Sequence, residues 1–359
     1  MNAKERFFAV LDHKKTDRVP VMPFSGNWGA KLAGCRLGEY ETDGKKMAEA
    51  QWRAHELSGI DHVNPQSDNY YIAEGFGLQT RIQEDATPVV TRVPLDSLKN
   101  IAGLRIPDPY KDGRMPVYLE AIQILSEKAG GNAVVRAPGT GPFSLSGHLL
   151  GVEKFIYTIA EAEAEEDEDT QKRIMELMEI STESLIAFST ACVKCGADIV
   201  QNGDSLCSLN MTSPAIYKKY AYPFQVKYFN AMKELQKTHR FATLLHVCGN
   251  NTPIVHEMMS NGCDCIEVDY ACDLKKYKEV SQETGTLMFG NLNPAEALLR
   301  GTPEEVYLEA METLRTAGTD NFFVLGSGCE LGIASPIDNI RAMISAAEDF
   351  AKSVPDTVR

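Results

Sequence analysis

Ala242-Thr243-Leu244-Leu245-His246-Val247-Cys248-Gly249-Asn250-Asn251-Thr252-Pro253 holds the pattern that decides the fold. A short apolar run ends in a Gly/Asn loop, and a hydroxyl residue followed by proline then opens a helix. Proline suits the first helical turn, where its missing N–H would have no helical partner, and Ser, Thr or Asn before it can accept from a free amide. The unit is strand, loop, helix.

The same order recurs on both sides of this stretch. Ala197-Asp198-Ile199-Val200 runs through Asn202-Gly203-Asp204 to Ser213-Pro214, and Thr286-Leu287-Met288-Phe289 runs through Gly290-Asn291 to Asn293-Pro294. Asn321-Phe322-Phe323-Val324-Leu325 runs through Gly326-Ser327-Gly328 to Ser335-Pro336. Val19-Pro20-Val21-Met22, Ala133-Val134-Val135-Arg136 and Cys265-Ile266-Glu267-Val268 read as further strands, and Gly262 and Gly285 as helix ends. Repeated strand–helix units demand a parallel sheet, which one chain can build as a closed eight-stranded barrel or as an open doubly wound sheet. No Gly-x-Gly-x-x-Gly follows the first strand directly, which disfavours a dinucleotide-binding open sheet.

The expectation is therefore an α/β fold, a single (β/α)8 TIM-type barrel. Such a barrel takes about 250 residues, so a chain of 359 has material for an N-terminal helical extension and long loops. Helices are expected over Lys4 to Asp12 and over Met47 to Leu57. No Gly/Ser-rich or Pro-rich linker divides the chain, and residues 1–359 read as one domain.

Composition narrows the function classes. The hydrophobic share of 43% and charged share of 24% are globular proportions. Neither a membrane-length apolar run nor a secretion signal is read in the sequence, which implies a cytoplasmic protein. A net charge of -14 argues against broad contact with nucleic acid or an anionic membrane, which needs clustered Lys and Arg. Part of that charge lies in the run Glu161 to Asp169, read as a solvated helix start or loop. Nine scattered cysteines are an odd number over a long chain, so thiols available to a metal are expected rather than a disulfide framework.

His246 and Cys248 are two residues apart at a strand end, so the strand period of two sends both side chains to one face. In a barrel that face can be the interior, and strand C-termini form the functional rim. Cys329 holds the corresponding place after the last strand, and closure would bring it towards the other two. One imidazole and two sulfurs suit zinc over magnesium or calcium, and three protein ligands leave a position for substrate. The plain alternative is that these are a core histidine and small buried cysteines, which are common. Glu267 and Asp269 share that face on the next strand and are candidates for a fourth ligand, Asp269 being preferred. Cys263, Cys265, Cys192 and Cys195 lack a matching second pair and read as core. Cys272 can border the site. His148 either faces substrate or braces a helix.

The order of motifs resembles the uroporphyrinogen decarboxylase superfamily over almost the whole chain. The carriers are Arg6-Phe7-Phe8-Ala9-Val10-Leu11 with Asp17-Arg18-Val19-Pro20-Val21, then Ala137-Pro138-Gly139-Thr140-Gly141-Pro142-Phe143-Ser144, and Gly290-Asn291-Leu292-Asn293-Pro294. Decarboxylases of that superfamily carry an arginine-rich segment after the first strand, but here the region reads Phe24-Ser25-Gly26-Asn27-Trp28-Gly29. His246-x-Cys248-Gly249-Asn250 with Cys329 instead looks like the zinc motif of the corrinoid methyltransferase branch.

That resemblance implies zinc held by His246, Cys248 and Cys329. It also implies methyl transfer between a small substrate and the cobalt of a corrinoid (cobalamin) carried by a partner protein, since no Asp-x-His-x-x-Gly module is present in this chain. The substrate would be a thiol such as coenzyme M or a methyl ether such as a methoxy-aromatic. The ether direction is slightly preferred here because Trp28, Tyr70 and Tyr71 could line an aryl pocket. Asp68 falls near a family active-site carboxylate and, with Asp269, is a candidate catalytic residue that orients substrate. Competing readings are a zinc-independent tetrapyrrole decarboxylase, a methionine-synthase-like barrel with a methylfolate donor, and a binding protein in which zinc only braces the fold.

Overall fold

The computed structural model describes residues 1–318 and 320–353. Its strands, in chain order, are β1 (His62–Val63), β2 (Gln79–Arg81), β3 (Val89–Arg92), β4 (Val134–Ala137), β5 (Ile199–Gly203), β6 (Ala242–His246), β7 (Cys265–Glu267), β8 (Leu287–Leu292) and β9 (Phe323–Ser327). β2 and β3 form a separate antiparallel hairpin. The other seven make one curled sheet whose neighbours follow chain order, every pairing parallel. Helices return the chain between strands, among them Met115–Ala129, Glu168–Lys194, Tyr222–Gln236, Leu274–Thr284, Pro303–Ala317 and Ile337–Ser353.

The first expected strand, Val19–Met22, is reduced to a bridge at Val21 opposite Leu325. Prolines at 20 and 23 remove two N–H donors, so no longer ladder can form there. The segment still lies between the two sheet edges. Leu325 N–H donates to the Pro20 carbonyl at 2.9 Å, Met22 N–H to the Leu325 carbonyl at 2.8 Å, and Asp61 N–H to the Val21 carbonyl at 2.9 Å.

The expected helices are present as Ala3–Leu11, capped by a reciprocal Asn2/Glu5 box, and Gly44–Ser58, capped by Asp43. Ser213 and Asn293 accept from following amides as their Pro signals imply. Thr252 does not, and its hydroxyl accepts from Asp273 N–H instead. The acidic run ends the helix Val152–Ala164 and begins Glu168–Lys194, with Asp167 accepting from Thr170 N–H. All nine cysteines are free, and no helix among the described residues is long and apolar enough to cross a membrane.

Alternation sorts the strand residues into two cores. Val135, Val200, Leu245, Ile266, Met288 and Leu325 pack outward against the helices. Val134, Ile199, Ala242, Leu244, Cys265, Leu287, Phe289 and Val324 pack inward, together with Phe7, Phe8 and Val10 of the first helix. These inward residues sit mostly at strand starts, so the helix Ala3–Leu11 covers the N-terminal end of the sheet. Phe7 is fully buried, with its ring 6.1 Å from that of Phe289. Cys265 is part of this inner core, as its lone spacing suggested.

Above that apolar layer the interior turns polar, beginning with His62 on β1. Burial, and then the Arg136 guanidinium, keep its imidazole neutral and lower its pKa to about 3.

Two outcomes follow. Phe7→Ala should cost about 3–5 kcal/mol of stability, read as a lower denaturation midpoint in urea. His62 binds its proton in the unfolded chain well before it does so in the fold. His62 should therefore contribute a loss of ~1.4 kcal/mol per pH unit below pH ~6.5, and His62→Gln should make the slope of unfolding titrations between pH 7 and pH 4 shallower by that amount.

Candidate metal centre

His246 ends β6 with its side chain on the inner face, and Cys248 follows two residues on, before the turn at Gly249. Gly249 has φ +87, and a Cβ there would meet Asn210 at 2.7 Å, so this sharp exit from the strand favours glycine. Cys329 stands just beyond β9. The curl of the sheet brings the three together: His246 Nε2 lies 3.1 Å from Cys248 Sγ, the two sulfurs are 3.4 Å apart, and Cys329 Sγ is 4.0 Å from His246 Nε2. Tetrahedral zinc with Zn–S about 2.3 Å and Zn–N about 2.0 Å requires ligand separations of about 3.5–3.8 Å. The triangle is the size of one such ion, and among the described residues it is the one group of three His, Cys or acidic donors that close.

The protonation pattern also suits a cation. Burial disfavours the imidazolium of His246, but the Cys248 thiolate and Glu267 outweigh it and raise its pKa to about 10. Cys248 is held well below the usual thiol range by the hydrogen bond from Cys329, against burial, with help from His246 and Ser205. Cys329 is pushed up, first by that shared hydrogen bond and then by burial. One thiolate thus shares its charge with two nearby protons that a divalent ion can displace.

Beneath the triangle lies a chain of buried charge. His246 Nδ1 is 2.8 Å from Glu267 Oε2, which leaves Nε2 facing the sulfurs. Glu267 accepts from both terminal nitrogens of Arg136, each at 2.8 Å, and Arg136 donates twice more to Gln201 Oε1. Its guanidinium also lies over the Phe24 ring, 4.5 Å from the centroid. Despite burial, Arg136 and His246 hold the Glu267 carboxyl down to about 2. Glu267 is the carboxylate that orients the imidazole.

Asp269 takes a different place from the fourth-ligand position preferred on sequence. Its Oδ2 accepts from Gly249 N–H at 2.7 Å and its Oδ1 from Ala271 N–H at 2.8 Å, so both oxygens are engaged in shaping the loop that carries Cys248. Asp68 is paired to Arg114 through both oxygens at 2.8 and 2.9 Å, and accepts from Tyr70 N–H. Cys272 borders the ligand loop, with Sγ 3.3 Å from the Gly249 carbonyl.

The expected aryl wall does not form as a unit. Trp28 is buried with Nε1 donating to the Ser335 carbonyl, and Tyr71 is buried against Tyr118 and Phe188. Tyr70 alone of the three is part-exposed, packed edge-on against His148 with centroids 5.1 Å apart.

Sequence reasoning missed Arg136, Gln201, Ser205 and Glu330. A charged residue inside the apolar run Ala133–Arg136 was the available signal for the first. Glu330 was quoted only beside Cys329, and its buried carboxyl, raised to about 7 by desolvation, accepts from Asn27 N–H at 3.0 Å.

Glu267→Gln should lower zinc affinity about 10–100-fold, measured by competition with a chromophoric chelator. It should also destabilise the metal-free protein by about 3–5 kcal/mol, because Arg136 loses its buried counter-charge.

Comparison with known proteins agrees with this architecture. Methylcobamide:CoM methyltransferase MtbA of Methanosarcina mazei is 30% identical, aligning over 97% of this chain and 98% of its own. The protein of the same name from Methanosarcina acetivorans is 29% identical over the same shares. A solved methyltransferase from Methanosarcina mazei superposes with a TM-score of 0.85 at 27% identity, covering 98% of this chain and 99% of that one. Uroporphyrinogen decarboxylase (URO-D) is the family that matches residues 2–350, and the chain belongs to it.

Proposed function

We propose that this chain is a zinc-dependent methyltransferase that moves a methyl group between the cobalt of a corrinoid on a partner protein and a small thiol. The observation that carries the reading is the His246–Cys248–Cys329 triangle at the C-terminal end of a parallel sheet. Three donors with no carboxylate among them favour a working site over a closed four-ligand brace. The relatives' names favour a thiol as the methyl acceptor over the methyl ether slightly preferred on sequence, and the burial of Trp28 and Tyr71 agrees.

In this reading His246, Cys248 and Cys329 hold the metal, and Glu267, itself held by Arg136, fixes the imidazole. When bound, zinc supplies Lewis acidity that stabilises negative charge on the sulfur gaining or losing the methyl. Asp269 sets the loop that presents Cys248. Asp68, paired to Arg114, shapes the neighbouring loop and orients substrate through Tyr70. The Pro20–Met22 segment serves as the eighth stave of a (β/α)8 barrel within one domain, and free cysteines fit a cytoplasmic setting. A tetrapyrrole decarboxylase is disfavoured because Arg136, beneath the triangle, is neutralised by Glu267.

The test measures zinc per chain in wild type, Cys248→Ala and Cys329→Ala. It adds demethylation of methylcobalamin with a thiol panel that includes coenzyme M, and methylation of cobalt(I) corrinoid by methoxy-aromatics. The expected result is about one zinc per chain, lost with either cysteine together with thiol-dependent activity. Full activity in metal-free wild type would overturn the mechanism, and activity with ethers alone would reverse the direction.

A further inference from the structure

Ser205 opens the short turn Ser205–Cys207 after β5, and its hydroxyl lies 3.1 Å from Cys248 Sγ. The turn is fixed from several directions. Asp204 N–H donates to the His246 carbonyl at 2.8 Å, Leu206 N–H to the Ser144 hydroxyl at 3.1 Å, and Ser144 N–H to the Asp204 carboxylate at 2.7 Å. A cysteine that ligates zinc does so as a thiolate with no proton to give, so in the loaded site the hydroxyl is the donor. Cys329 Sγ, by contrast, has its hydrogen-bond contacts with Cys248 Sγ and His246 Nε2. Beyond the contacts within the triangle, Cys248 therefore has a donor of its own, and it comes from a side chain.

A site that handles electrophilic methyl groups faces a hazard of its own making. The sulfurs that hold the metal are nucleophiles beside the reacting centre, and an S–CH3 bond on either would turn a thiolate into a neutral, poorly ligating thioether. A hydrogen bond engages sulfur electron density and lowers nucleophilicity, while the charge still serves the cation. We propose that Ser205 is a positioning residue that shields Cys248 from methylation, so that the methyl reaches the substrate sulfur and not the ligand. This rests on the methyltransferase reading.

Methyl iodide probes the shielding without any corrinoid or thiol substrate. A Cys248 sulfur lone pair forms the S–CH3 bond as the C–I bond breaks, iodide leaves with the electron pair, and no proton moves. Zinc-loaded wild type, Ser205→Ala and Ser205→Thr would be exposed to methyl iodide, and methylation of Cys248 and Cys329 followed by peptide mass spectrometry. Loss of one charge-assisted hydrogen bond should raise the Cys248 rate about three- to tenfold in Ser205→Ala. Ser205→Thr should stay at the wild-type rate, and Cys329 should be unchanged in both. Equal Cys248 rates in wild type and Ser205→Ala would overturn the shielding, as would a parallel rise at Cys329 or in Ser205→Thr, which marks general loosening. Wild type that takes up no zinc would overturn the methyltransferase reading itself, whereas zinc uptake with equal rates removes only the role of Ser205.

Discussion

Arg136 and Glu267 face each other inside the curled sheet, both without solvent exposure. Desolvating two charges costs several kcal/mol per ion, and the pair persists because its geometry is bidentate and further buried groups take up most of what the pair leaves unbonded. Gln201 takes two further guanidinium protons, Phe24 covers the guanidinium face, and His246 takes a carboxylate oxygen. The His246 imidazole is thus the last member of a buried chain and has little rotational freedom of its own. Everything above it, the two sulfurs included, is referenced to that fixed ring.

Much of the fold was legible because its signals are local. β6 has the bounds its apolar run implied, and β4, β5, β7, β8 and β9 shift by one to a few residues, as strand ends do when pairing partners differ in length, whereas the two-residue β1, His62–Val63, was not read at all. Val19–Met22 was readable as extended chain but not as a mere bridge, because ladder length depends on which amides the prolines withhold from particular neighbours. Thr252 misled for a similar reason, since a partner on a distant loop, Asp273, outcompeted the cap.

At the site, parity along a strand placed His246 with Cys248 and put Glu267 on the same face. What parity could not supply was depth. Glu267 sits one layer below the triangle and Asp269 above it at the loop, so the choice between the two carboxylates turned on backbone amides of Gly249 and Ala271 that no spacing rule encodes. Ser205 was equally invisible, because its contact with Cys248 depends on how the turn after β5 folds against the end of β6.

The helix Ala3–Leu11 gives the molecule a closed floor. With Phe7, Phe8 and Val10 packed into the inner core, the interior is sealed at the strand starts, and the polar layer below the metal position is filled by Arg136, Glu267 and Gln201. Under the proposed function, ion, small substrate and partner surface would therefore all approach from the loop end. A partner seated there would hold the ion in place, metal exchange would be confined to the intervals between encounters, and occupancy of the site would become a matter of timing as much as of affinity.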